Sequence, residues 1–249
     1  MLGKWNRRAT GLAILLATMG VMAQESTVAS APAGSEPPIP RITDQHRQRF
    51  DAATQLLRSG KTEAALAGFQ TLSTELAGPL DVSGARYFCD RGNAEEVARM
   101  LTMAMVGTRA EVRLITVNAL VCDSLYGKAF ALVDLKRLPE ARDVLEQVVG
   151  LASVNSTYKS ELAHVLAMTG QPLRALTLYR EAQENAEFDP EGSRAHRQAV
   201  ALRGQGYALV ELRRWDEAEA AYRQSQTFEP DNKIASDEIL FIRQNRPQR

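Results

Sequence analysis

The 249-residue chain is poor in the residues that build metal sites, with two cysteines and three histidines. Two cysteines cannot make a zinc ribbon or a disulfide-dense miniprotein, and three histidines leave little for a histidine-rich centre. Neither sign of charge dominates: 30 Lys+Arg stand against 30 Asp+Glu, a formal net charge of zero. A nucleic-acid footprint needs a basic surplus or stripe, so no nucleic-acid partner is expected. The sequence sets that carry chemistry are missing as well. There is no His-Glu-x-x-His zinc motif, no Gly-x-Ser-x-Gly elbow and no Walker phosphate loop. Gly204-Gln205-Gly206 lacks the third glycine of a dinucleotide fingerprint. No cofactor, no metal and no catalytic residue is therefore expected, and the chain reads as a non-enzyme. What is present, 45% hydrophobic and 24% charged residues, suffices for a folded core in one or two domains.

Long apolar runs are also scarce. The one candidate is Ala9–Val21, preceded by Lys4, Arg7 and Arg8 and followed by small residues up to Ala23. This is the layout of a secretory signal peptide, residues 1–23, cut after Ala23. An uncleaved anchor is the alternative, but a membrane helix needs roughly 20 apolar residues. No cysteine sits near the cut for a lipid anchor. Cleavage removes three of the 30 basic residues and none of the 30 acidic ones, leaving a net of −3. The expected localisation is periplasmic or secreted, with no integral membrane segment after cleavage. Residues 24–40 carry four prolines among Ser and Ala without helical or strand period. They read as a flexible linker ahead of one helical domain, 41–249.

In that domain a small residue recurs with a large one four positions on: Ala65…Phe69, Ala141…Leu145, Ala175…Tyr179 and Ala218…Tyr222. Each pair follows a turn with Gly or basic residues: Gly60-Lys61, Lys136-Arg137, Gly170-Gln171, Arg213-Arg214. Upstream of each turn an amphipathic stretch holds a small residue: Ala53, Ala129, Ala163, Gly206. Ala141 to Ala175 is 34 residues, and Ala175 to Ala218 is nine more than that. A 34-residue helix–turn–helix period resembles the tetratricopeptide repeat (TPR). In Ala199–Asn232 the residues Gly206, Leu209, Trp215, Ala218, Tyr222 and Pro230 all fit its pattern. The resemblance implies an all-α, TPR-type α-solenoid of antiparallel helix pairs. Repeats are expected at about 46–79, 122–155, 156–189 and 199–232, with a capping helix at 233–245. In that helix Ile234, Ile239, Leu240 and Ile242 can face inward. The excess near Asp189–Gln198 predicts a longer loop or an extended helix start. Asn155-Ser156-Thr157 is a glycosylation sequon, though Asn155 also suits a helix cap.

Residues 80–121 break the pattern. Asn93-Ala94-Glu95-Glu96 reads as a capping box opening a helix to about Met105. On either side, Ala85–Cys89 and Val112–Val117 are β-prone. The segment is therefore either a short two-strand β insertion near 85–117 or a degenerate repeat with extended connectors. An oxidising compartment favours pairing an even number of cysteines. Were the strands parallel, Cys89 at the end of one and Cys122 in the helix after the other would be neighbours. A disulfide there closes a loop of about 34 residues, worth roughly 3.8 kcal/mol in the chain-entropy picture. Two buried free thiols are the alternative, and the lack of Cys-x-x-Cys speaks against a redox pair.

TPR proteins bind with the first helix of each hairpin, which lines a concave groove. The resemblance thus implies a partner-binding groove of Asp123, Tyr126, Phe130 and Asp134, then Ser160, His164 and Met168, then Arg203, Tyr207 and Glu211. Tyr126, Phe130 and Tyr207 form either an aromatic floor or inter-repeat filling. One TPR subclass clamps a peptide carboxylate with Lys, Arg and Asn. Here those positions hold Tyr126, Phe130, Ser160, His164, Arg203 and Tyr207, which puts that mode in doubt. The expectation is a non-catalytic scaffold or adaptor of the bacterial envelope that takes a protein or peptide partner. The alternatives are a self-associating subunit, a homo-oligomer, and more remotely an enzyme accessory subunit.

Overall fold

Four times the chain ends a helix in the same way. Gly60, Lys136, Gly170 and Arg213 all have left-handed backbone, with φ of 75°, 62°, 79° and 58°. The residue after each returns its N–H to a carbonyl five positions back: Lys61 to Leu56, Arg137 to Leu132, Gln171 to Leu166, Arg214 to Leu209. This double closure satisfies the last carbonyls of the helix and reverses the chain. Glycine suits that conformation, whereas a Cβ makes it costly. Lys136 and Arg213 therefore hold it under strain.

The structure is a computed structural model that describes residues 39–80, 85–90, 100 and 113–247. The expected signal peptide, nearly all of the linker, and all but Met100 of the helix expected from Asn93 to Met105 lie outside the described residues. Among those described, α1 (Asp44–Arg58) pairs with α2 (Thr62–Ala77) across the first turn. Strands β1 (Ala85–Asp90) and β2 (Arg113–Asn118) come next. Then follow α3 (Ala119–Asp134), α4 (Leu138–Leu151), α5 (Ser156–Met168) and α6 (Pro172–Asn185). The chain continues through α7 (Glu191–Glu211), α8 (Trp215–Phe228) and α9 (Lys233–Asn245). Each second helix packs on its own partner and on the first helix of the next pair: α2 on α3, α4 on α5, α6 on α7. A solenoid is stabilised by such nearest-neighbour interfaces.

The recurrent pairs account for these interfaces. Ala65, Phe69, Ala141, Leu145, Ala175, Tyr179, Ala218 and Tyr222 are all buried, as are Ala53, Ala129 and Ala163. Within α7 two glycines receive two different tyrosines. A Cβ on Gly206 would lie 2.6 Å from the Tyr222 ring of its own hairpin, and one on Gly204 only 2.1 Å from the Tyr179 ring of the preceding hairpin. Both are far inside ordinary contact of about 3.5–4 Å. The Gly204-Gln205-Gly206 stretch is thus a packing device. Gly127 receives Phe69 in the same way, at 2.5 Å.

Short polar residues set the helix starts. Asn118, Asn155 and Asn232 accept hydrogen bonds from the N–H groups of Leu120, Tyr158 and Ala235, the N-cap arrangement. The excess before the fourth hairpin becomes an extended helix start: α7 runs 21 residues from Glu191, just after Pro190.

The irregular segment is a β insertion, not a degenerate repeat. β1 and β2 pair in parallel, from Ala85 opposite Arg113 to Asp90 opposite Asn118. That register brings Cys89 to the first turn of α3, where it forms a disulfide with Cys122. Both cysteines are buried in the main core beside Tyr87, Val117 and Val121.

The cap helix differs from expectation in two residues. Ala235, Ile239 and Ile242 are its buried stripe, spaced four and three apart along one face. Ile234 and Leu240 fall off that stripe, at 39% and 55% exposed. Leu240 faces solvent, and Ile234 lines a cavity described next.

Candidate functional site

The first helices α3, α5 and α7 share one face, and α9 closes its C-terminal end. Between them lies an open cavity of about 740 Å³, lined by Phe130, Ser160, Glu161, Val200, Arg203 and Ile234 together with the link from Glu229 to Asn232. A smaller pocket of about 100 Å³ adjoins it and shares Ser160, Glu161, Val200, Arg203 and Ile234. It goes deeper, to His164, Tyr179, Gly204, Tyr207, Tyr222 and Glu238. Concave sites with apolar walls and a few convergent polar groups are the usual form of a binding site.

Five of the ten residues expected in the groove line these cavities: Phe130, Ser160, His164, Arg203 and Tyr207. The other five line neither. Asp123 accepts a hydrogen bond from the Tyr158 hydroxyl at 3.3 Å, and Asp134 accepts one from Thr62 of the preceding hairpin at 2.6 Å. Tyr126 packs against Tyr158 with ring centroids 5.0 Å apart and the rings tilted by 41°, and meets Phe130 edge-on at 6.5 Å. Met168 is half-buried and Glu211 exposed, each at the C-terminal end of its helix. Of the expected aromatic floor, Phe130 is 46% exposed and Tyr207 half-buried.

The charges are arranged unevenly. Arg203 is nearly buried, and its guanidinium binds Glu229 at 2.5 Å. Glu229 also accepts from His196 Nδ1 at 2.5 Å and from Asn232 Nδ2 at 3.0 Å. Burial pushes the Glu229 carboxyl up, but the bonds from His196 and Arg203 outweigh that and hold it below the ordinary range. Arg197, a second guanidinium on the cavity wall, is paired with Asp189 at 3.5 Å. Glu161 is the reverse case. Burial drives its carboxyl above the ordinary range, against the hydrogen bond that the Tyr126 hydroxyl donates to it. Burial also raises the Tyr179 hydroxyl, with Glu161 adding to the effect, and lowers the His164 imidazole. Among the described residues no group of three or more His, Cys, Asp and Glu could hold a metal ion.

Sequence reasoning missed Glu161, Val200, Gly204, Ile234 and Glu238. A signal for two of them existed. Val200, Arg203, Gly204 and Tyr207 follow the i, i+3, i+4, i+7 spacing of one helix face. Ile234 and Glu238 carried none, because their place depends on how α9 docks.

Protein-family profiles give no match to the sequence, and neither do curated proteins. Solved structures do resemble it. MamA, from residue 41 to its end, of Desulfovibrio magneticus RS-1 is 15% identical, with a TM-score of 0.53 over 81% of this chain and 85% of that one. A second MamA structure gives a TM-score of 0.54 at 12% identity over 82% of this chain and 83% of that one. A Podosopora anserina putative kinesin light chain with nearly identical TPR-like repeats scores 0.53 at 13% identity, covering 82% and 88%. The chain has the TPR fold. Its hairpins are TPR-type helix pairs, and β1 and β2 with their disulfide are an insertion in the TPR array.

Proposed function

We propose that the protein is a non-catalytic TPR scaffold of the bacterial envelope that holds a peptide or protein partner on the face formed by α3, α5, α7 and α9. The observation that carries this reading is the cavity of about 740 Å³ on that face, with Phe130 and Ile234 exposed at its wall. Exposed apolar groups rimmed by polar ones mark interaction surfaces. The two wall guanidiniums are engaged by Glu229 and Asp189, so a clamp on a partner's carboxylate is not the mode supported. For the envelope location, the Ala9–Val21 run and its basic flank support export. A disulfide fits an oxidising compartment. No helix among the described residues is long and apolar enough to cross a membrane.

The test is a cross-linked pull-down from envelope extract with the exported protein and a Phe130→Ser/Ile234→Ser variant as baits. Both side chains are part-exposed, so the fold should hold, and circular dichroism checks it. A partner cross-linked to the wild type and lost from the variant supports the groove. Recovery of the protein alone, equally with both baits, would replace the scaffold reading with a self-associating subunit.

A further inference from the structure

We infer that the inner pocket beneath the groove recognises a cationic side chain of the partner, a lysine or arginine inserted between Tyr179, Tyr207 and Tyr222 toward Glu161 and Glu238. This rests on the groove reading above and specifies the chemistry of its partner.

The argument begins from shape. The pocket of about 100 Å³ is walled chiefly by aromatic and aliphatic groups, with Val200 and Ile234 at the groove side. It takes a narrow side chain rather than a ring system or a backbone. Gly204 contributes to the opening. Its bare Cα lies against Tyr179, which brings that ring to the wall where any side chain would displace it.

Charge then selects the guest. Of the groups lining the pocket, Glu161 and Glu238 are the carboxylates and Arg203 the guanidinium. Arg203 is already bound by Glu229, which in turn takes His196 and Asn232. An anionic guest would have to break that cluster. Glu161 is in none of the ion pairs among the described residues. It is buried, accepts a hydrogen bond from the Tyr126 hydroxyl and lies near the Tyr179 hydroxyl. A carboxylate in that state gains from an arriving cation, and tyrosine rings favour a cation over an anion at their faces. The long apolar stem of lysine or arginine suits the walls while the head meets the carboxylates.

The experiment uses the protein purified after export and three capped Gly/Ser peptides differing at one central residue: lysine, norleucine or glutamate. Amide shifts of Gly204 and Tyr207 are followed by NMR during titration. The lysine peptide should shift both saturably, and bind about tenfold more tightly than the norleucine peptide. Glu161→Gln/Glu238→Gln should abolish that preference, whereas Asp231→Asn, on the outer cavity wall, should keep it. Equal binding of lysine and norleucine overturns the inference but leaves the groove reading standing. Preference for glutamate overturns it in favour of an anion site at Arg203. Absence of saturable shifts at Gly204 and Tyr207 overturns it too, while the pull-down judges the groove separately.

Discussion

Gly204 offers a sharp test of how the repeats lock together. In an exposed helix, glycine to alanine stabilises by about 1 kcal/mol. At Gly204 the new Cβ would sit 2.1 Å from one Tyr179 ring carbon and 2.4 Å from two others. Contact distance is about 3.5 Å, so the ring must retreat by roughly 1.4 Å. Tyr179 is 4% exposed and packed between α6 and α7, with nowhere to go cheaply. Overpacking costs about 1–3 kcal/mol, and a clash this deep belongs at the top of that range. Subtracting the propensity gain leaves Gly204→Ala destabilising by about 2 kcal/mol. In a domain of this size that lowers Tm by about 4–8 °C. Gly150→Ala is the control, because nothing lies within 4 Å of its would-be Cβ. It should raise stability by up to about 1 kcal/mol. Urea and thermal unfolding of both variants, followed by circular dichroism, make the comparison. A Gly204→Ala protein as stable as the wild type would refute the interlock.

Further predictions follow from the turns, the disulfide and the buried acid. Replacing the left-handed residues, Lys136→Gly or Arg213→Gly, should stabilise by about 0.5–1 kcal/mol each in urea unfolding, since a Cβ is costly there. The denatured, unreduced protein should show no free thiol, and Cys89→Ser/Cys122→Ser should lose about 2–4 kcal/mol of stability. Glu161 has a raised folded-state pKa, so between its unfolded and folded values the folded chain holds the extra proton. On this group's account stability falls as pH rises through that window. Glu161→Gln should remove this fall, seen as a smaller difference between urea midpoints at acid and neutral pH. An unchanged difference would mean that Glu161 is solvated.

The repeat was legible because its signal is local. Ala175…Tyr179 is a pair on one helix and Gly206 meets Tyr222 within one hairpin, so their spacing survives in the sequence. The parallel strands were readable as β-prone runs, but only the register from Ala85–Arg113 to Asp90–Asn118 settles strand against connector. The candidate site was half legible. Phe130, Ser160, His164, Arg203 and Tyr207 follow from the TPR resemblance, which assigns the groove to the first helix of each hairpin. Asp134 lies off the cavity and accepts a hydrogen bond from Thr62 of the neighbouring hairpin. Glu161 and Ile234 join the site through the convergence of α5, α7 and α9, which no window of sequence records. Ile234 reads as a core residue by hydrophobicity alone, yet the Ala235–Ile239–Ile242 stripe turns it outward.

The central claim is that a partner sits on the face made by first helices and α9. Hydrogen exchange of the exported protein, with and without the partner captured by the pull-down, tests it most directly. Protection should concentrate on α5, on the Val200–Tyr207 part of α7 and on the link from Glu229 to Ile234. Protection confined to the second helices α4, α6 and α8, with that link unchanged, would contradict the account.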